Sequence, residues 1–153
     1  MSKPTIFSTF TVERVYPAPP SRVFSALSDP VKKRRWYAEG EGFVVDSYSL
    51  DFRVGGFERT RFRPVGGPDM TNDGVYLEIL PEERVVFAYS MTIAGQPLSS
   101  SLGTMELRRE GDGTRLRYTE QIAHTSGIDA TADRIQGTEE LFEVLGKELE
   151  THP

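Results

Sequence analysis

"ADRIQGTEELFEVLGKELE", Ala132 to Glu150, is the stretch on which the fold turns. Ile135, Leu141, Phe142, Leu145 and Leu149 recur at helical spacing, and acidic residues fill the opposite side. Residues 132–150 therefore predict one amphipathic helix, a rod of roughly 28 Å at 1.5 Å per residue. Gly137 and Gly146 sit inside it, each costing about 1 kcal/mol relative to alanine. Such glycines allow close approach to a neighbour or leave room for a ligand beside Phe142, and Gly137 could also mark a kink. A rod with a single apolar stripe needs a surface that will bury it.

The preceding eighty residues supply that surface. "FVVDSYSLDFRV", "FERTRFRP", "GVYLEIL", "RVVFAYSMTI", "LSSSLGTMELRRE" and "TRLRYTEQI" alternate as strands do, separated by "VGG", "GGPDMTND", "PEE", "AGQP" and "GDG". Connections this short join antiparallel neighbours, and Asp112–Gly113 suits a tight hairpin. Upstream, Ile6, Phe10, Val12 and Tyr16 share one parity, so residues 5–16 predict a further half-buried strand. Between them, "APPSRVFSALS" predicts a short helix, and Asp29–Pro30 gives the cap and first turn of a second. The expected fold is α+β: a curved antiparallel sheet of six to seven strands wrapped around the C-terminal helix, with two short helices after strand 1. Sheet twist leaves a cavity wherever its curvature and the helix do not match.

Composition narrows the function. The 153 residues suit one domain, and 18 Lys and Arg against 23 Asp and Glu give a net charge of −5. That balance argues against a nucleic-acid-binding protein, despite the run Lys32–Arg35. Four consecutive helical residues point in nearly all directions, so the run reads as a solvated helix face. Without cysteine there is no disulfide, thiolate metal site or cysteine nucleophile, and the two histidines have no ligand spacing. Neither a signal sequence nor a bilayer-spanning segment is visible, so a cytoplasmic protein without membrane insertion is expected. No cofactor motif is present, since the Gly-Gly pairs at 55–56 and 66–67 lack the phosphate-binding patterns.

Five segments, in order, carry a family resemblance: "VERVYPAPPSRVFSALSDPVKKRRWY", "VGGFERTRF", "GVYLEILPEERVVFAY", "GDGTRLRYTEQI" and "GTEELFEVLGKELE". From about Thr5 to Leu149 the chain resembles the START-like (SRPBCC) superfamily, and within it the activator of heat shock protein 90 ATPase homologues. The resemblance implies a helix-grip fold with an internal pocket, of the single-domain bacterial type. The eukaryotic activators carry a further N-terminal domain that engages the chaperone, which a chain of this length is expected to lack. Relatives in the superfamily bind lipids, hormones or polyketides, and some catalyse cyclisation or hydrolysis.

Individual residues refine the expectation. Strand parity puts Leu77, Ile79, Phe87, Tyr89, Met105, Leu107, Leu116 and Tyr118 on the concave face, and Arg59, Arg61 and Arg63 outside with Phe62 inside. Trp36 is either a hydrophobic anchor or part of the cavity mouth. Trp36, Phe62, Tyr89, Tyr118, Phe142 and Leu145 are the expected contacts of a small hydrophobic or aromatic molecule. Glu120 shares the inward parity and would supply polarity. The alternative is an enzyme in which Glu120, with His124 four residues on, moves protons. A second alternative is an interaction module, chaperone cofactor or regulator, acting through the 32–37 helix. An open sheet edge could also support a homodimer.

Overall fold

Turn chemistry sets the sheet. In the computed structural model, which describes residues 3–40 and 42–153, seven strands form one antiparallel sheet in the order β1-β7-β6-β5-β4-β3-β2. They are β1 (Ile6–Tyr16), β2 (Phe43–Leu50), β3 (Phe57–Pro64), β4 (Met70–Leu80), β5 (Arg84–Ile93), β6 (Gln96–Glu110) and β7 (Gly113–His124). Consecutive strands from β2 to β7 are neighbours, as their short connections require. The β6–β7 hairpin turns at Gly111, with φ +59°, and not at Asp112–Gly113. Gly113 has another role: a Cβ there would lie 2.3 Å from the Tyr16 carbonyl oxygen, so only glycine lets the two strands approach.

Helices α1 (Pro20–Ser28) and α2 (Pro30–Lys33) follow β1, and α3 (Thr131–Thr151) closes the chain. Asp29 caps α2 through its carboxylate, which accepts from the Val31 and Lys32 amides at 2.9 and 3.2 Å. Helix α2 then widens into a single π-turn, Arg34–Ala38. The expected helix over 132–150 is continuous, with no kink at Gly137. Gly146 is the close-approach position: a Cβ there would lie 3.3 Å from the Tyr16 ring. That ring's hydroxyl donates to the Phe142 carbonyl at 2.8 Å, tying α3 to β1.

The core lies between α3, α1 and the β1-β7-β6 end of the sheet, where Val23, Leu116 and Leu145 are fully buried among Phe10, Val12, Tyr118 and Phe142. Each deeply buried side chain of this size contributes about 1.5–3 kcal/mol. Among the described residues, no helix is long and apolar enough to cross a membrane.

The parity reading holds for seven of the eight concave residues, and Leu77 breaks it. A bulge between Tyr76 and Glu78 places two β4 residues opposite one of β5. The extra residue lets both Tyr76 and Ile79 face inward and turns Leu77 out, half exposed. Tyr76, expected outside, is a core residue at 4% exposure.

The arginines of β3 face outward as expected, Arg61 pairing with Asp73 and Arg63 with Asp46. The basic run does not behave as a solvated face. Lys33 is buried, and Arg35 is bound through two nitrogens to Glu148 of α3. The physical reason is partnership: a cation whose counter-ion comes from a distant element is worth burying, and local spacing does not reveal that partner.

Candidate functional site

Two carboxylates lie inside the concave face, about four strands apart, or roughly 19 Å at 4.8 Å per strand. Each collects two tyrosine hydroxyls and one cation. At the β7 end, Glu120 is 1% exposed. Its Oε2 accepts from Tyr89 at 2.8 Å, Ser101 at 2.9 Å and Arg134 at 2.7 Å, and its Oε1 accepts from Tyr118 at 2.6 Å. Arg134, in the first turn of α3, also donates to Ser99 at 2.9 Å. Four donors on one carboxylate satisfy a buried charge completely. Burial, then the neighbouring Glu120 charge, push the Tyr118 and Tyr89 hydroxyls above their ordinary range, so both stay protonated donors.

The second centre lies outside the expected site residues. Glu58 of β3 accepts from Lys33 at 2.9 Å, Tyr76 at 2.5 Å and Tyr48 at 2.6 Å. Burial alone would raise its carboxyl, but the Lys33 charge and these hydrogen bonds outweigh burial and hold it below the usual carboxylate range. The Lys33 ammonium also lies 4.8 Å from the centre of the Tyr37 ring. Alternation of Glu58, Thr60 and Phe62 with the three arginines was the available signal. It places Glu58 inward as surely as Phe62.

Aromatic rings span the distance between the two centres. Phe52, Tyr76, Phe87 and Tyr118 follow one another at centroid separations of 4.8, 6.1 and 6.1 Å, the last pair nearly parallel at 9°. Phe87 reaches Tyr118 across β6 because Gly103 lies beneath it, where a Cβ would come within 2.5 Å of the ring. Tyr118 then meets Phe142 edge-on at 5.9 Å.

The expected site residues separate into two groups. Trp36, Tyr118, Phe142 and Leu145 are closed into the core. Trp36 serves as an anchor, its indole N–H donating to the Ala26 carbonyl at 2.8 Å, and its neighbour Tyr37 takes the position facing the sheet. Phe62 and Tyr89 are only half-buried although they face the concave side, as are Tyr37, Tyr48, Phe87 and Met91. Helix α3 lies along β1 and reaches β5 through Arg134, and the π-turn reaches β4 through Tyr37. Between them, β3 and β5 present the part-buried side chains of Phe62, Phe87, Tyr89 and Met91 on the concave face.

The two best-defined depressions lie elsewhere. One, of about 660 Å³, is on the convex face by Phe7, Ser100, Leu102 and Gln121. The other, of about 190 Å³, lies between α1 and the end of α3. Neither depression lies between the sheet and α3, where the cavity was expected.

His124 is buried at 1% exposure and does not pair with Glu120. Its Nε2 lies 2.8 Å from the Ser8 hydroxyl and 3.3 Å from that of Thr131, with Asp129 at 3.7 Å. Four residues along a strand separate it from Glu120 by roughly 13 Å, beyond any direct proton transfer. The pair expected from parity is two separate centres.

A curved antiparallel sheet holding a C-terminal helix, with two short helices after the first strand, defines the START-like (SRPBCC) class of helix-grip proteins. Within that class, the family model described as "Activator of Hsp90 ATPase homolog 1-like protein" matches residues 17–151, and the chain belongs to this family. It is similar to the Mll3558 protein of Rhizobium loti at 48% identity, covering 95% of this chain and 99% of that one, with a TM-score of 0.88. A protein of Rhizobium leguminosarum is 35% identical over 97% of this chain and 98% of its own, with a TM-score of 0.93. The CV1439 protein of Chromobacterium violaceum is 29% identical over 93% and 96%, with a TM-score of 0.76. No protein of curated function matches the sequence.

Proposed function

We propose that this protein binds a small apolar or aromatic molecule, in the cytoplasm, against the concave face of the sheet between α3 and the π-turn. One observation carries the reading: Phe62, Phe87, Tyr89, Met91, Tyr37 and Tyr48 face the concave side yet remain half-buried. Inward-facing side chains left partly exposed, most of them aromatic, are the lining expected of a small-molecule site. Membership of a fold family that commonly binds ligands supports the same reading. Affinity would come chiefly from apolar burial, at roughly 25 cal/mol per Å² before association costs.

Saturating ligand should raise Tm. At a hundredfold excess over Kd the stabilisation is about 2.7 kcal/mol, or on the order of 5–10 °C for a domain of this size. Differential scanning fluorimetry against a panel of lipids, polyketides and aromatic alcohols would measure it. Native mass spectrometry of the freshly purified protein would look for a retained molecule. No shift across the panel and no retained mass would sink the proposal.

A further inference from the structure

Among the described residues, every buried or part-buried lysine and arginine has a carboxylate partner, except Arg22 of α1 and Lys32 of α2. Within the basic run, Lys33 pairs with Glu58, Arg34 with Glu39 and Arg35 with Glu148, which leaves Lys32 alone. Arg22 and Lys32 come from different helices, yet both line the depression of about 190 Å³ between α1 and the end of α3. Drawing a cation partly out of water costs hydration that a carboxylate normally offsets, and here none is built in. Two such cations on one opening are the arrangement of a site that takes its counter-ion from solution.

The other groups of the opening orient these charges without cancelling them. Glu148 lines it too, but Arg35 holds that carboxylate through two nitrogens, at 3.0 and 2.8 Å, and His152 Nδ1 lies 3.2 Å away. Arg22 Nη2 donates to the Leu149 carbonyl at 2.5 Å. That bond fixes the guanidinium and satisfies a helix-end carbonyl that would otherwise repel an anion. Lys32 Nζ donates one hydrogen to Ser25 Oγ at 2.7 Å and keeps two. Ser25, accepting there, has its own proton to give, and Ser21 lines the same opening. Two surplus positive charges, a guanidinium and hydroxyl donors match a phosphate dianion better than a singly charged carboxylate. Size agrees, since the depression has room for about six water-sized groups, enough for a phosphate and little more. We infer that Arg22 and Lys32, with Ser21 and Ser25, form a binding site for a phosphate dianion, free or carried as a monoester whose body projects outward. The site lies apart from the concave face and is independent of any molecule bound there.

Amide NMR at constant ionic strength tests it, with inorganic phosphate, glycerol phosphate and acetate as probes. Phosphate should shift amides near Ser21–Ser25 and Glu148–His152 with a Kd in the millimolar range, and acetate should bind about 10-fold more weakly. Lys32→Gln and Arg22→Gln should each weaken phosphate binding about 10-fold. Arg59→Gln removes the same charge from the convex sheet face and should change nothing, because salt screens it at that distance. Arg22 also ties α1 to α3, so Lys32→Gln, whose ammonium bonds only Ser25, decides the matter if Arg22→Gln folds poorly. Glycerol phosphate shifting the same amides assigns the site to monoesters, and its exclusion assigns it to the free anion. Acetate binding as well as phosphate, shifts scattered over the exposed cations, or a Lys32→Gln curve matching wild type overturns the site. So does an equal loss in Arg59→Gln, and none of these results bears on the concave face.

Discussion

Replacing Lys33 by methionine should destabilise the protein by about 3–5 kcal/mol, a fall in Tm on the order of 10 °C. The substitution keeps the apolar stem and removes the one cation bonded to Glu58 among the described residues. Tyr48 and Tyr76 would still donate to the carboxylate, but a buried charge without a counter-ion costs far more than a lost hydrogen bond. Adding Glu58→Gln should recover most of the loss, since the amide oxygen still accepts from the tyrosines and no charge remains. The pH dependence has a definite sign. In the wild type the Glu58 carboxyl is held below its ordinary value, so its contribution is fully present above about pH 4.3 and is lost as pH falls through the folded-state value. In Lys33→Met only the two tyrosine hydrogen bonds oppose burial, so the carboxyl rises relative to the wild type and acidification relieves the defect. The gap between the two proteins should therefore close as pH falls. Chemical denaturation at a series of pH values measures it. A constant gap would mean that the pair is not what holds Lys33 in place.

Arg134→Met should cost a similar amount, about 3–5 kcal/mol, but with a different distribution. Glu120 would keep Tyr89, Ser101 and Tyr118 and lose its one ionic partner. Arg134 is also the tie by which the first turns of α3 reach β5 and β6. Apolar packing holds the other half of that helix, through Phe142, Leu145 and Leu149. Hydrogen exchange should therefore accelerate at amides near Thr131–Thr138 before it does near Phe142. Glu120→Gln in the same chain should restore stability while the helix start stays loose. Uniform loss of protection along α3 would show that the helix docks as one unit.

Much of the fold was legible because its determinants are local. Periodicity gave α3 to within a residue at each end, Asp29–Pro30 gave the start of α2, and alternation placed Glu120, Tyr118, Phe62 and the β3 arginines on the correct faces. Tyr76 and Leu77 were exchanged because a bulge adds one residue to one strand and reverses parity beyond it. Nothing in "GVYLEIL" announces where that happens.

The polar centres are the least local feature of the fold. Lys33 finds Glu58 across 25 positions and Arg35 finds Glu148 across 113, distances at which spacing rules say nothing. A single charged residue reads as exposed, and its burial becomes reasonable only when the partner is known. Arg134 was hidden for the same reason: at the start of an amphipathic helix it resembles any solvent-facing arginine. Glu58 was legible as an inward residue, because parity sets it beside Phe62, but Lys33, Tyr48 and Tyr76, which make it a centre, come from other elements.

The pairing of β1 with β7 also constrains the order in which the chain can fold. Ile6–Tyr16 has no partner strand until Gly113–His124 exists, about a hundred residues later. At about 5–20 residues per second on the ribosome, that is a wait of roughly 5–20 s. Throughout it, Phe10, Val12 and Tyr16 lack the β7 strand and the α3 helix that bury them in the finished protein. β1 is made long before β7 and is thus among the last elements to be secured. Any interruption before β7 leaves an apolar strand with one free edge on each side, the form of chain most prone to pair with the wrong neighbour.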